Sequence, residues 1–547
     1  ASRRHLHRFV HRLQRLLAHS WYARLLAVRR VTQDNKGKRT AGIDGVKSIA
    51  PHHRLHLAQT LIPFSRARPL RRIWIPKPGK TERRALSIPT LRDRATQGLI
   101  KLTLDPQWDA HLDPNMYGFR SGRSCQDAIE AVFKTIVRQP KYVLNVDIRG
   151  CFDNISHTAI LSKSQTPPWM RQLLKGWLKC GVMDDGFHRS ERGSPQGGVI
   201  SPLLCLIALS GLEPAIKQLG TRDCPIYVIA YADDMVILTR QQSDIHRAKV
   251  ALEQWLSEIG LSLHPDKTTL CHTLHGDDAG FDFLGYHVQQ YPVGKYVSHR
   301  GYKSMITPSQ AKVNRHLAHL KDVIQAHRGA AQSILIRRLN PIIRGWCNYY
   351  RNVSASHTFG DISNTMFHRL SRWAKRRHST LNNHQIVGRY WLVNTGVGWV
   401  FKAKGKDEPA LYLHHQTRFC RHTKVQSNRS PYDGDWVYWG TRLRHYPGLS
   451  ARTSYLLHRQ NGKCLHCGLS FRLSDVMETH HRDGNHNHHH RQNLALLHRH
   501  CHDQIHAAAS CSNATRAHDK GRGGEEPDDA KGSRPVLKPS LGGDSQA

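Results

Sequence analysis

Two apolar runs that carry carboxylates restrict the possible folds of this chain more than any other feature. Residues 142–148 are rich in β-branched and aromatic side chains and carry Asp147 near the end. Residues 226–238 read as two short strands interrupted by Tyr-Ala-Asp-Asp, which suits a hairpin with both carboxylates at its tip. We therefore expect a sheet that collects acidic side chains from distant parts of the chain.

Carboxylates collected in this way can hold the metal ions of phosphoryl transfer. If Asp147 lies beside Asp233, two hard oxygen ligands stand where two Mg²⁺ ions can bridge a triphosphate and a primer 3′-hydroxyl. An Asp-Asp turn by itself is more often a solvated hairpin. The hypothesis therefore depends on the sequence around it.

Neighbouring segments favour a nucleotide site. Between the two runs, residues 193–202 form a glycine-rich loop that opens an apolar helix and lets backbone approach a nucleotide closely. Upstream, residues 72–80 and the pair Arg83 and Arg84 supply cations for phosphates. These segments make a polymerase a better interpretation than a solvated turn.

The charge of the chain indicates a polyanionic partner. Its 81 Lys and Arg against 41 Asp and Glu leave a formal charge of +40, which would repel itself in a compact fold unless phosphates neutralised it. At 547 residues we expect two to four domains. The 12 cysteines are mostly isolated, which is typical of a reduced compartment, and the longest apolar stretch is too broken to span a bilayer.

In these motifs the chain resembles the reverse transcriptases encoded by group II introns. The resemblance also runs through residues 40–46, 117–124 and 281–286 in the family's order, and covers nearly the whole chain. It implies a multidomain α+β protein built as a right-hand polymerase of fingers, palm and helical thumb, followed by further modules. The implied divisions are 1–300 for fingers and palm with an N-terminal extension, 301–390 for the thumb and maturase region, 391–450 for a DNA-binding region, 451–509 for a nuclease, and 510–547 for a disordered tail. We take the Arg-rich start as part of the fold rather than a transit peptide.

The resemblance also assigns roles to residues of the polymerase. It makes Asp147, Asp233 and Asp234 the catalytic carboxylates of the palm. The nucleotide-binding residues that it implies are Lys77, Arg84, Phe152 and Gln196. Phe152 would exclude a ribose 2′-hydroxyl, although a buried core phenylalanine would look the same in sequence. Arg83 is the alternative to Arg84, and Lys267 matches a further palm motif that is structural or catalytic.

The middle of the chain is basic and helical. Asn340 and Pro341 predict a helix N-cap and first turn, after which Ile342, Trp346 and Tyr349 or Tyr350 recur at helical spacing. A second segment surrounds Trp373 with cations, which suits phosphate contacts and base stacking. By resemblance these segments are thumb and maturase and hold intron RNA. The predicted RNA-binding residues are Arg344, Arg351, Arg372, Lys375, Arg376 and Arg377.

Near the C-terminus, two pairs of ligands predict a structural zinc ion. Cys464 and Cys467 are followed by a second pair, for which we assign His498 and Cys501, with His500 as the alternative to His498. So small a module has little core of its own, and a metal clip would stabilise it.

Inside this clip the order of residues resembles the HNH nucleases, whose ββα fold holds a divalent ion. The resemblance implies His481 as the general base, Asn493 as the residue that orients it, and His480, His502 and His506 near the ion. His502 and His506 are four apart and face the same way on a helix. The competing interpretation is that these are zinc ligands or exposed residues of a histidine-rich chain.

Together, the resemblance to group II intron proteins implies a reverse transcriptase, maturase and endonuclease that binds its intron RNA, assists splicing, cleaves target DNA and copies the RNA by target-primed reverse transcription. The expected cofactors are two Mg²⁺ ions in the palm, a divalent ion, Mg²⁺ by preference, in the nuclease, and structural Zn²⁺. The expected partners are intron RNA, double-stranded DNA and deoxynucleoside triphosphates, with no membrane. The expected compartment is the cytoplasm, or an organelle in a eukaryotic host. The alternatives are an RNA chaperone with idle enzyme sites and a stand-alone homing endonuclease.

Overall fold

The computed structural model describes residues 2–62, 66–76, 82–394, 398–405, 408–426, 429–443, 449–472, 475–486 and 488–507. These residues divide into two compact units. The first comprises 2–315 and 424–430, and the second comprises 316–423 and 431–507. Lys77, which was predicted to bind the nucleotide, and residues 510–547, which were predicted to form a disordered tail, lie outside the described residues.

The first unit is a mixture of helices and short strands. Its helices are α1 (Ser2–His19), α2 (Trp21–Arg29), α3 (Pro51–Thr60), α4 (Leu91–His111), α5 (Cys125–Ile136), α6 (Cys151–Asn154), α7 (His157–Lys163), α8 (Pro168–Lys179), α9 (Ser201–Leu209), α10 (Leu212–Lys217) and α11 (Gln242–Glu258). Its strands are β1 (Leu70–Pro76), β2 (Arg83–Ile88), β3 (Tyr142–Asp147), β4 (Val182–Met183), β5 (Phe187–His188), β6 (Tyr227–Tyr231), β7 (Asp234–Thr239), β8 (Thr269–His272), β9 (Phe281–Phe283), β10 (Tyr286–Pro292) and β11 (Tyr302–Pro308).

The sheet expected from the two carboxylate-bearing runs is present. Its strand order is β6-β7-β3-β8, and each neighbouring pair is antiparallel. Strands β6 and β7 form the predicted hairpin, with Ala232 at the turn in the left-handed region at φ 59°. The prediction of two short strands separated by the acidic turn is confirmed.

The core of this unit lies under that sheet. Helix α9 is buried on nearly every side, which fits its uniformly apolar sequence. It packs in one cluster with apolar residues of α4, α8, α11 and β3. The glycine-rich loop enters α9 directly, as the sequence predicts, so the loop is fixed to the most deeply buried helix of the unit.

Two further sheets complete the first unit. The order in the first is β2-β1-β4-β5, and β1 and β2 form a long antiparallel pair. The second has the order β11-β10-β9. Its strand β11 begins at Tyr302, beyond the boundary expected at residue 300, because it pairs along its whole length with β10.

The second unit begins within α12 (Gln310–Ala326) and is mostly helical before its C-terminal module. Its remaining helices are α13 (Gln332–Tyr350), α14 (Ser356–Arg377), α15 (Asn383–Tyr390), α16 (Trp436–Leu443), α17 (Ala451–Arg459) and α18 (499–507). Its strands are β12 (Trp391–Asn394), β13 (Gly398–Phe401), β14 (Met477–His481) and β15 (Leu494–His498). In the described part of the chain, no helix is both long and apolar enough to cross a bilayer.

The predicted helix start at Asn340 is wrong. Pro341 lies inside α13, which begins at Gln332. The helix continues through the proline because its apolar side is packed on both sides of it. That buried side consists of Leu335, Ile336, Leu339, Ile343, Cys347 and Tyr350. The Asn340 side chain accepts the backbone N–H of Tyr412 at 2.8 Å and donates to the carbonyl of Ala410 at 2.9 Å, so it serves a tertiary contact rather than a cap.

Candidate functional site

The register of the central sheet brings the predicted palm carboxylates together. Strands β3 and β7 pair so that Asp147 lies directly opposite Asp234, and Asp233 occupies the adjoining turn. The motif at Tyr117 and Gly118 lies against this turn, and a Cβ on Gly118 would stand 2.3 Å from the backbone nitrogen of Ala232. Only glycine allows this close approach, so the family motif and the acidic turn support one another.

The electrostatics of this cluster favour a cation. Desolvation, followed by repulsion from Asp233 and Asp147, raises the pKa of Asp234 to about 7. Desolvation and the charge of Asp147 also raise the pKa of Asp233. Three oxygen-bearing groups that repel one another form the hard ligand set that Mg²⁺ binds, so the donor set fits the predicted ions.

This repulsion gives a testable effect on stability. In the absence of Mg²⁺, Asp234→Asn is expected to raise the melting temperature by a few degrees at about pH 8 and to have little effect at about pH 4, near the ordinary pKa of the carboxyl. The folded-state pKa of about 7 exceeds the ordinary value of 3.8, so the group favours folding at low pH and loses that contribution as the pH rises through 7. Melting curves of the wild type and Asp234→Asn in a chelating buffer at both pH values measure this shift. Equal shifts in melting temperature at the two pH values would contradict charge repulsion at Asp234 as the cause.

The ammonium group of Lys267 lies beside the acidic cluster. Its Nζ lies 3.5 Å from Oδ2 of Asp147, and its side chain is about half exposed at 52 %. An exposed ion pair of this length contributes little to stability. The Lys267 ammonium is therefore an accessible positive charge beside the carboxylates.

Two of the predicted nucleotide-binding residues contact each other. The Nε of Arg84 donates to Oε1 of Gln196 at 2.7 Å, and both side chains are accessible. The backbone carbonyl of Gln196 accepts the N–H of Ser87 at 2.7 Å, which fixes the glycine-rich loop to β2. Arg84 thus lies beside the loop. Within the described part of the chain, the side chain of the alternative residue, Arg83, makes no hydrogen bond to this loop.

Phe152 lies on α6, one short loop after Asp147. Its side chain is 8 % exposed and meets the Phe119 ring edge to face at 5.9 Å. Its backbone carbonyl accepts the N–H of Ser194 at 2.6 Å, so α6 and the glycine-rich loop are joined at this point. Phe152 belongs to the core and also borders the glycine-rich loop. Its position therefore fits both a core residue and a residue that excludes a ribose 2′-hydroxyl.

A substitution separates these two roles of Phe152. Phe152→Ala is expected to increase ribonucleotide incorporation by about tenfold or more relative to deoxynucleotides, because it opens space for a 2′-hydroxyl. The measurement is primer extension with each nucleotide class, with Phe119→Ala as the matched control for a lost aromatic contact. Unchanged discrimination in Phe152→Ala would leave the residue with a core role alone.

The predicted RNA-binding cations occupy two helices of the second unit. Arg372, Lys375 and Arg376 are exposed on α14. Arg377 donates to the carbonyls of Arg328 and Ala330 at 3.0 and 2.6 Å, so its guanidinium caps a neighbouring segment. On α13, Arg344 is exposed beside the Tyr412 ring at 5.2 Å, and Arg351 is partly buried at the helix end.

The predicted stacking role of Trp373 is wrong. Its side chain is 4 % exposed, its Nε1 donates to the carbonyl of His327 at 3.1 Å, and the Arg377 guanidinium covers its ring at 4.5 Å. The residue faces the core because it continues the buried side of α14 from Met366 and Leu370. Its aromatic face is therefore closed to nucleic acid.

In the C-terminal module, four predicted zinc ligands converge. The ligand atoms of Cys464, Cys467, His498 and Cys501 all lie within 4.8 Å of one another. His498 is buried with its Nδ1 3.3 Å from the Cys467 sulfur, whereas the alternative, His500, is exposed. Geometry thus favours His498.

The crowding of these sulfur atoms affects their ionisation. Burial and contact with the other two sulfurs raise the pKa of the Cys501 thiol. Although burial opposes it, backbone N–H donors hold the pKa of Cys464 below its ordinary value. Asp475, which the sequence analysis missed, has Oδ2 3.2 Å from Nε2 of His498, a carboxylate partner of the kind that orients histidine ligands. Three cysteines and one histidine are a ligand set that fits structural Zn²⁺.

The three predicted nuclease ligands form a second cluster, on β14 and α18. Ligand atoms of His480, His502 and His506 lie within 4.8 Å of one another, and the two Nε2 atoms of His502 and His506 are 3.2 Å apart. Desolvation and mutual repulsion lower the pKa values of His480 and His502, which favours the neutral imidazoles that bind metals.

Glu478 is a second residue that the sequence analysis left without a role. Its Oε2 lies 3.0 Å from Nδ1 of His502, so a proton on Nδ1 leaves Nε2 free to face His480 and His506. Glu478 stands two residues before His480 on β14, and the period of a strand could have revealed it. Glu478, His502 and Asp503 also form a possible ligand set, which shares His502.

His481 and Asn493 are placed differently from each other. The Nε2 of His481 lies 3.1 Å from Nδ1 of His489, and its ring is accessible. Asn493 donates to Oδ1 of Asp483 and to the carbonyl of His488, both at 2.8 Å. Asn493 therefore fixes the loop that directly follows His481 at the end of β14, and its predicted role in orienting His481 stays a prediction.

Comparisons with known proteins agree with the polymerase and maturase assignments. Residues 75–288 match the family "Reverse transcriptase (RNA-dependent DNA polymerase)", residues 313–391 match "Group II intron, maturase-specific domain", and residues 1–61 match "N-terminal domain of reverse transcriptase".

Individual relatives match parts of the chain. Protein YkfC of Escherichia coli is 28 % identical over 51 % of this chain and 82 % of its own length. The group II intron-encoded protein LtrA of Lactococcus lactis subsp. cremoris is 34 % identical over 28 % of this chain and 26 % of its own length. The putative COX1/OXI3 intron 1 protein of Saccharomyces cerevisiae is 26 % identical over 41 % and 33 %. The chain thus spans about a quarter to a third of the two intron proteins.

Proposed function

We propose that this chain, which carries a reverse transcriptase domain and a group II intron maturase domain, copies its intron RNA into DNA at a target that its C-terminal module cleaves. The observation that carries the proposal is the pairing of Asp147 with Asp234 beside Asp233. In the proposed reaction these carboxylates would hold two Mg²⁺ ions, which supply Lewis-acid activation of the phosphates. Lys267 and Arg84 would neutralise charge on the nucleotide, and Phe152 would select its sugar.

The nuclease part of the proposal depends on the module at 451–509, because the matched families extend to residue 391. Its support is a β-hairpin followed by a helix, with one histidine of the hairpin and two of the helix converging. In the HNH assignment His480, His502 and His506 would bind a divalent ion. His481 would take a proton from the attacking water, and the Cys464 cluster would hold Zn²⁺ for stability.

Cleavage and copying would then operate in one sequence. Bound intron RNA would insert into one DNA strand, and the nuclease would cut the other. The palm would extend the new 3′-hydroxyl with intron RNA as template, which is target-primed reverse transcription. In the same proposal, the maturase region holds the RNA in its splicing-competent form.

The direct test is to sequence the RNA that copurifies with the full chain and to assay Mg²⁺-dependent primer extension on that RNA. A single enriched intron together with cDNA synthesis is expected. Specific intron binding without extension would instead favour an RNA chaperone with idle enzyme sites, and a nuclease that copurifies with no RNA would favour the homing endonuclease.

A charge substitution tests the RNA-binding surface. Replacing Arg372, Lys375 and Arg376 with Gln is expected to weaken RNA binding and to reduce the slope of log affinity against log salt by about 2, because each lost phosphate contact contributes about 0.7 for single strands. Filter binding over a range of salt concentrations measures it. The matched control is Arg247→Gln with Lys249→Gln on α11, whose cations lie beside carboxylates. Because the control removes two cations instead of three, a fall in slope about two thirds as large in the control would assign the effect to net charge alone.

A further inference from the structure

An open cavity in the second unit has no role in the function proposed above. It has a volume of about 270 Å³ and lies between α14 and the β12-β13 hairpin. This volume is slightly below the usual range for small-ligand pockets, which suits one ring system rather than a whole nucleotide. The cavity is separate from the buried Trp373.

Aromatic rings form the walls of this cavity. Phe367 extends from α14, with its ring centroid 5.4 Å from that of Trp391 and 6.2 Å from that of Trp399. Phe401 pairs with Trp391 across the hairpin and closes the base. Trp399 is 48 % exposed, so the cavity is open to solvent beside this ring. An indole face that is half exposed beside a cavity can receive another flat ring.

The rim of the cavity is polar. Asn364 and His415 line it with exposed side chains, and together they offer donors and acceptors at the edge of any ring inside. Ser363 lies between them, donating to the carbonyl of Phe359 at 2.8 Å and accepting the N–H of His415 at 3.4 Å. Among the described residues that line the cavity, none is acidic.

Polar and basic side chains continue the same side of α14. Asn364, His368 and Lys375 are exposed and follow one another at helical spacings of four and seven. A chain whose flat rings enter the cavity would thus meet a positive charge farther along the helix. Aromatic walls, a polar rim and a positive charge along the same helix are the combination that holds single-stranded nucleic acid, whereas an apolar protein side chain would need neither the rim nor the charge.

We propose that this cavity takes one unstacked base of single-stranded RNA, stacked on Trp399 and Phe367, with Asn364 and His415 at its edge. The proposal rests on the proposed function in that the RNA would be the bound intron. It adds a neutral base-stacking site to a surface whose other contacts are with phosphates. The site has no sequence preference built into its walls, because every base has a π face.

The test compares two RNA probes with the full chain. One is a single-stranded oligoadenylate of about 12 nucleotides, and the other has the same backbone with abasic sugars. Trp399→Leu is expected to weaken oligoadenylate binding by about tenfold, leave abasic binding unchanged, and keep the salt slope of the wild type. Trp399→Phe should restore most of the affinity, since it keeps an aromatic face.

Leu392→Ala is the matched control, because Leu392 is 44 % exposed on the other face of the same hairpin. Its binding should equal that of the wild type, and melting curves should be unchanged in all three variants. The proposal is overturned if Trp399→Leu binds oligoadenylate normally, loses abasic binding equally, or lowers the salt slope. Wild-type protein that binds neither intron RNA nor oligoadenylate would contradict the proposed function itself.

Discussion

Asp234→Ala is expected to reduce cDNA synthesis by about 10³-fold or more and to leave RNA binding nearly unchanged. The carboxylate stands opposite Asp147 in the β3-β7 register, where a bound Mg²⁺ would contact both. Metal stabilisation of the transition state contributes several kcal/mol, and each 1.36 kcal/mol is a factor of ten in rate. The basic RNA-binding surface on α14 is a separate element and retains its charge. Asp233→Ala is expected to behave in the same way.

The measurement is single-turnover primer extension over a range of Mg²⁺ concentrations, beside RNA binding by the same preparations. Asp266→Ala is the matched control, since its carboxylate is 86 % exposed one residue from Lys267 and takes no part in the cluster. It should extend the primer as the wild type does. Mg²⁺-dependent extension at the wild-type rate in Asp233→Ala or Asp234→Ala would refute the palm assignment.

The second large effect separates the two metal sites of the C-terminal module. Cys467→Ser should lose zinc and make the module sensitive to protease, because the binding energy of a structural zinc ion is also folding energy. Cleavage of DNA would then fail through unfolding. His481→Ala should retain zinc and protease resistance, because a general base contributes to the transition state, yet DNA cleavage should fall by about 10² to 10⁴.

Zinc stoichiometry and DNA nicking, measured together in both variants, distinguish these outcomes. His466→Ala is the control, because His466 is exposed between the two cysteines and lies outside the four-ligand cluster. It should keep both zinc and activity, and extension of a pre-nicked primer should survive in all three variants. If His481→Ala loses zinc, or cuts at the wild-type rate, the division of these histidines into ligands and base is wrong.

Local patterns in the sequence predicted the elements that carry the chemistry. The β-branched and aromatic residues of 142–148 and the acidic turn near Asp233 predicted β3 and the β6-β7 hairpin, because strand propensity and turn composition act over a few residues. The same holds for the glycine-rich loop before α9. The spacing of Cys464 and Cys467, and the four-residue step from His502 to His506, likewise placed ligands on one side of a local element.

Long-range packing decided what those patterns left open. The register that places Asp147 opposite Asp234 could not be predicted from the sequence. This register depends on the pairing of two strands that are separated by more than eighty residues. Packing also carried α13 through Pro341 and buried Trp373, because the apolar faces of α13 and α14 outweighed the local propensities. Burial favoured His498 over the exposed His500. The sequence by itself thus determined which residues could bind metal or nucleotide. The tertiary structure decided which of them lie together, because contacts between distant segments depend on the burial of whole faces and not on local spacing.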